Sequence, residues 1–296
     1  MQFTIIETLS IYRRLLAEPD AAAREAIFRQ ELAEPFAGLV KFFGSGDVLA
    51  TFRQWGMSPD LFANEHQAET ERKIDLLEGA NAWERAAAAL ENARAVFAPY
   101  GERIPTENIT FALCLNQPMF SGGPNLGYAG FGAIPGYIMV TYSDPTPYNL
   151  ARVEGATVHE FNHNVRSAAL PHQPMIATVG DYIVGEGLAE AFAHELYGEE
   201  AVGPWVTDFD QTQLGQARQI IGGALDKTGF DVVRNYIFGD TITRQMGREP
   251  VGLPDFAGYA IGYFVVRQYL ARSGKTAAEA TLLPAGEILS GSGYFA

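Results

Sequence analysis

Val158-His159-Glu160-Phe161-Asn162-His163-Asn164-Val165 carries the pattern H-E-x-x-H, and the fold is read outward from it. On a helix, residues four apart lie on one face a turn apart, so the His159 and His163 imidazoles can reach the same cation. Glu160 sits beside His159 around the cylinder, close enough to meet a water on that cation but badly placed to ligate it. Two neutral imidazoles, a carboxylate base and an open position for water are what zinc-assisted hydrolysis requires. The competing reading is a surface helix with two solvated histidines. Only five histidines occur in the chain and two of them fall here, which favours the metal.

The flanking sequence agrees. Thr146-Pro147 is an N-cap followed by proline at the first helical position, so a helix is predicted to begin there. Along it Leu150, Val158, Phe161 and Val165 project to one side, and His159, Glu160 and His163 to the other. Gly155 and Ala156, one turn before His159, leave room for a ligand or a supporting group.

Zinc needs a third protein ligand. Asp181 is expected to cap a second helix that ends at Gly198. On it Val184, Leu188, Phe192 and Leu196 share one side, while Glu186, Glu190 and His194 form a polar stripe at i, i+4 and i+8. Glu186, with 22 residues between it and His163, is assigned as the third ligand. Glu190, one turn on, would accept the free ring N–H of a ligating histidine and fix its orientation. The exchanged assignment, with Glu190 on the metal, draws on the same stripe. His194 is expected to be a supporting or surface residue. A later helix, started by Pro254-Asp255, places Tyr259 and Tyr263 on one face, with Gly262 between them permitting close helix contact. A phenol near the metal could donate to the oxyanion formed during amide hydrolysis. The alternative is a pair of core tyrosines whose hydroxyls reach the surface.

With 296 residues, 47% of them hydrophobic, the chain can bury a substantial core. Its net charge is −14, from 21 basic and 35 acidic residues, and no basic cluster exceeds a pair such as Arg13-Arg14. Nucleic acid and anionic membrane surfaces are therefore poor partners. Cys114 is the single cysteine, which excludes an intrachain disulfide and fits a reducing compartment. The first residues lack the basic start and long apolar run of a signal peptide, and no stretch reaches membrane-spanning length, so a cytoplasmic location is expected.

In chain order, residues 2–7 read as a strand and a helix follows from Thr8 to near Pro19. Residues 21–43 continue as helix, broken at Pro35, with Ile27, Leu32, Leu39 and Phe42 as core candidates; a Gly44-Ser45-Gly46 turn follows. Residues 58–99 are mostly helical, most clearly from Ala82 to Phe97, and His66 is a surface histidine. Ile109 to Leu115 and Tyr137 to Tyr142 read as strands. Between them Gly122 to Gly136 is glycine-rich. Gly127-Tyr128-Ala129-Gly130-Phe131-Gly132 is not followed by a helix, so it lacks the free N–H groups of a nucleotide loop. It reads instead as an edge strand with a lip beside the metal, where an extended peptide could pair its backbone, or as a hairpin without a ligand. After the metal helix, Ala168 to Gln173 leads through Pro171 and Pro174 into a loop. Thr212 to Leu225, Phe230 to Phe238 and residues 276–289 complete the helical C-terminal part. The class is α+β.

Three pieces together, His159-Glu160-x-x-His163, Gly185-Glu186-Gly187-Leu188-Ala189-Glu190 and Gly258-Tyr259-Ala260-Ile261-Gly262-Tyr263, resemble the domain-of-unknown-function 2268 family of zinc proteases, a branch of the gluzincin-type metallopeptidases. The resemblance runs from about Thr106 to the C-terminus. It implies a zincin-like fold: a small mixed sheet against the H-E-x-x-H helix, with predominantly helical N- and C-terminal parts. It also implies zinc on His159, His163 and Glu186, with Glu160 as base. The E-G-L-A-E run is similar to the N-E-G-F-A-E run of zinc aminopeptidases, with Gly185 in place of the asparagine; their G-A-M-E-N exopeptidase motif is absent. The expectation is a single unit over 1–296, with a helical region at 1–104 and a catalytic region at 105–296. It would hydrolyse peptides or unfolded protein segments. The rivals are a hydrolase of a small amide or ester using the same site, and a metal-stabilised interaction or chaperone-like module; the intact Glu160 speaks against the latter.

Overall fold

Four strands make one mixed sheet in the order β1-β2-β4-β3, where β1 is Gln2–Ile5, β2 Asn108–Leu115, β3 Tyr128–Phe131 and β4 Tyr137–Tyr142. The computed structural model describes residues 1–44, 46–117, 126–171 and 177–296. Residues 122–125 of the glycine-rich run, Ser45 of the expected turn and the Gln173-Pro174 part of the loop lie outside the described residues. β1, β2 and β4 run parallel, with Ile5 opposite Phe111 and Leu115 opposite Tyr142. β3 runs antiparallel to β4, with Gly130 opposite Val140 and Phe131 opposite Met139. From Ile109 to Leu115 every residue of β2 is buried, as expected of a strand covered on both faces. β3 differs: Ala129 and Gly130 are exposed, and among the described residues no strand pairs its outer edge.

The H-E-x-x-H pattern lies on a helix, Val153–Ala169. Thr146 does cap a helical turn, in a capping box with Asn149, but that turn is only Pro147–Leu150 and the long helix starts afresh after Arg152. The break is occupied: Arg152 donates to the Tyr148 carbonyl (2.9 Å) and the Val202 carbonyl (3.1 Å), with its guanidinium over the Tyr148 ring. A second helix, Val179–Tyr197, carries the glutamates, and its cap is Thr178 rather than Asp181. The Thr178 hydroxyl accepts from the Asp181 N–H and the Asp181 carboxylate accepts from the Thr178 N–H. With two cap-forming residues three apart, the reciprocal arrangement places the first at the cap. The third helix, Ala257–Ser273, carries the tyrosines and follows Phe256, whose φ is 59°.

The glutamate and tyrosine helices touch backbone to backbone. A Cβ on Gly187 would collide with the Gly262 carbonyl, and one on Gly262 with the Ile183 carbonyl. The contact anticipated at Gly262 therefore has a glycine on both sides. From the same helix as the histidines, the Asn162 amide donates to Thr281 Oγ1 (2.7 Å). Arg166 of that helix donates to the carbonyls of Thr281 (2.8 Å) and Leu283 (2.9 Å). Burial pulls the Arg166 guanidinium down to about 10, against the opposing pull of Asp181.

Val202, Val206 and Tyr263 form a small buried cluster of their own, and most of the other buried side chains form a large one from Ile11 to Ile288. Of the four expected core residues near the N-terminus, Leu32 and Leu39 are in it and Ile27 packs against it, but Phe42 is 57% exposed. Phe42 ends the helix Ala37–Phe42, where the chain turns out from the core. Two C-terminal expectations change as well. Pro284 splits the last helix into Ala277–Thr281 and Ala285–Ser292, because proline has no N–H to continue it. The Thr212 to Leu225 segment shortens to Leu214–Gly222, and Asp240–Gln245 is an additional helix.

Candidate active site

The two imidazoles and one carboxylate expected to share a cation do converge. His159 Nε2 and His163 Nε2 are 3.0 Å apart, and Glu186 Oε2 lies 3.2 Å from the first and 3.3 Å from the second. A tetrahedral zinc with bonds of about 2.0–2.1 Å has ligand atoms roughly 3.3 Å apart, so these three edges are close to one face of such a tetrahedron. A proton can serve only one edge of the triangle, whereas a cation above its centre serves all three. The donor set fits zinc. Burial alone would raise the Glu186 carboxyl, but His163 and His159 outweigh it and hold the group at about 2.

Glu190 lies behind His159. Its Oε1 is 3.0 Å from His159 Nδ1, at ion-pair distance though not aligned as a hydrogen bond. Glu190 is itself held by the Gly203 N–H (2.8 Å, to Oε2) and the Trp205 indole N–H (to Oε1). Both donors come from the segment after the glutamate helix, Gly203 as the cap and Trp205 within the short helix Pro204–Thr207, and the Ala201 carbonyl of the same segment fills the space left by Gly155. That space therefore holds protein rather than a ligand.

Glu160 lies against the sheet edge. A side chain on Gly130 would run into its carboxylate, and one on Gly132 into its backbone carbonyl. The two glycines let β3 and its continuation pass directly over this residue. Burial raises the Glu160 carboxyl above its ordinary value, opposed by His159 and His163. A carboxylate poised higher than usual is better suited to take a proton.

The two tyrosines separate. Tyr263 is hydrogen-bonded through its hydroxyl to His194 Nδ1 at 2.6 Å, which gives His194 its partner. Tyr259 packs its ring on Trp205 (5.2 Å between centroids) and is raised well above the usual phenol range, first by burial and then by the nearby Glu186 carboxylate. His66 is at the surface, as expected, 3.6 Å from Glu65.

Sequence reasoning misses the parts played by four residues. Trp205 stacks on Tyr128 and holds Glu190; a tryptophan just after Gly203-Pro204 signalled a turn, but nothing local pointed to its indole partner. Tyr182 stands one helical turn before Glu186, its phenol raised first by burial and then by Glu186. That i, i+4 spacing was visible. Gly130 and Gly132 were seen as a lip, but the residue beneath them was not.

The chain belongs to the domain-of-unknown-function 2268 family (DUF2268), described as predicted Zn-dependent protease, whose model matches residues 82–290. Among individual proteins, it is 35% identical over 307 aligned residues to the uncharacterized protein YjfC of Bacillus subtilis (strain 168), covering 100% of this chain and 99% of that one. It is 28% identical over 137 residues to the uncharacterized protein YjaZ of the same organism, covering 46% of this chain and 49% of the relative. No solved structure matches the chain. No described helix is long and apolar enough to cross a membrane.

Proposed function

We propose that the protein is a zinc-dependent metallopeptidase of gluzincin type, a single zincin-like unit over 1–296 whose first 104 residues support a catalytic region at 105–296 and which acts in the cytoplasm. The observation that carries this reading is the His159–His163–Glu186 triangle, with edges of 3.0, 3.2 and 3.3 Å, beside a buried carboxylate that is not part of it. His159, His163 and Glu186 would hold a zinc ion, which would supply Lewis acidity for the scissile carbonyl and for water. Glu160 would take the proton of the attacking water on its carboxylate and return it to the leaving amine. Glu190 keeps the His159 ring in place. Tyr259, which stays a protonated phenol beside Glu186, is the better placed of the two tyrosines to donate to the developing oxyanion; the Tyr263 hydroxyl is engaged by His194 and is given no part in the step. The outer edge of β3, which no strand among the described residues pairs, offers backbone groups to an extended peptide or unfolded segment.

Glu160→Gln tests the reading. It keeps the shape but cannot accept the proton, so zinc content should not change, while hydrolysis of a mixed peptide library should fall at least about 10²-fold. A wild-type protein that cleaves nothing in the library, indistinguishable from the variant, would overturn the peptidase reading.

A further inference from the structure

The two most exposed large apolar side chains among the described residues are neighbours, Phe42 at 57% and Phe43 at 51%. Their rings meet edge to face at 5.6 Å, and Phe43 also meets Trp55 at 5.9 Å. Two adjacent, exposed phenylalanines are costly on a surface without a use. Their position suggests one: the Phe43 ring lies 6.0 Å from that of Phe131, on β3. Phe131 directly follows Gly130, the residue that lies against the Glu160 carboxylate.

Strand alternation then places the two groups. Successive residues of β3 point to opposite faces of the sheet, so Gly130 faces Glu160 while Phe131 faces the other way, toward Phe43. A peptide paired with the outer edge of β3, unpaired among the described residues, alternates in the same manner, in either direction. The residue beside Gly130 turns to the metal, and the residue beside Phe131 turns to the aromatic group. We infer that Phe131, Phe43 and Phe42 form a subsite for a large apolar or aromatic side chain of the substrate, close to the cut. Phe42 and Phe43 lie before residue 82, where the match to the family begins, so this wall of the site comes from the N-terminal region. The inference rests on the peptidase reading above and specifies its substrate.

The test profiles cleavage with peptide libraries randomised around the cut, for the wild type, Phe43→Leu and the Phe42→Ser/Phe43→Ser double variant. Both positions are more than half exposed, so zinc content and thermal midpoint should hold, which separates a subsite effect from unfolding. The wild type should prefer Phe, Tyr or Leu over Ala at one position within about two residues of the cut. The kcat/KM ratio of a Phe to an Ala substrate at that position should drop about 10-fold or more in the double variant. Phe43→Leu should retain an intermediate preference. Cleavage with a flat preference, or a preference that survives the double substitution, overturns the subsite and leaves the peptidase reading intact. A double variant that changes oligomeric state without changing preference assigns the patch to a second copy of the chain and overturns the subsite too. If no peptide is cleaved at all, the peptidase reading falls and the subsite with it.

Discussion

The two histidines of the site sit in unlike surroundings. His159, with a side chain 7% exposed, is backed by Glu190, which is fixed in turn by the Gly203 amide and the Trp205 indole. His163 is 17% exposed, and no hydrogen bond to its Nδ1 is found among the described residues. One side of the donor triangle is thus braced through three layers of protein, and the other rests on its own helix. The brace continues into the Gly187–Gly262 contact, which seats the helix that carries Glu186. The position of the donors is therefore set from the His159 side. The His163 side can accommodate small shifts.

The largest expected effect treats both sides alike. The wild type should hold about one zinc per chain, and His159→Ala or His163→Ala should each lose it, because two ligands do not retain the ion. Full metal occupancy of the double variant by elemental analysis would break the assignment. The asymmetry shows in the next layer. Glu190→Gln should weaken zinc binding roughly 10–100-fold without abolishing it, and Glu186→Gln should do more damage. Chelator competition ranks them, and the reverse order would exchange the two roles. Trp205→Phe keeps the ring stack and removes one donor to Glu190, so its loss should be smaller, on the order of tenfold at most. A loss equal to that of Glu190→Gln would put the brace chiefly in the indole. The remaining comparison concerns stability rather than metal binding and sets two glycines of one helix side by side. Gly187→Ala forces a methyl into the Gly262 backbone and should cost about 1–3 kcal/mol in denaturant unfolding. Gly185→Ala meets nothing within 4 Å and should stabilise by about 0.5–1 kcal/mol. Equal effects would show that the helix contact is not the constraint.

What could be read from sequence was what is encoded locally. The 3.6-residue period brought His159 and His163 together, and the same period on the next helix set Glu186 and Glu190 one turn apart. The run Ile109 to Leu115, apolar but for Thr110, identified the strand β2. The misses share a cause. Thr178 and Asp181 both satisfy the local rule for a cap, and only the formed helix decides between them. Phe42 has the spacing of a core residue but stands where the chain turns away from the core. Trp205 is separated from Glu190 by 15 positions and meets it only once the loop has folded back. Gly130 looked like flexibility and is instead clearance for Glu160.

Arg166 shows how such silence can be permanent. Its guanidinium bonds to the main-chain carbonyls of Thr281 and Leu283, not to their side chains. Mutations at residue 283 can therefore accumulate without disturbing this bond, and Arg166 imposes no matching residue there. Loss of the arginine, conversely, has no remedy at that position, since no new side chain can replace a donor to a carbonyl that every residue already has. The clasp between the H-E-x-x-H helix and the segment at 281–283 would thus be inherited through one residue alone. A search for paired substitutions between the two segments would find no trace of this bond, however many relatives it compared.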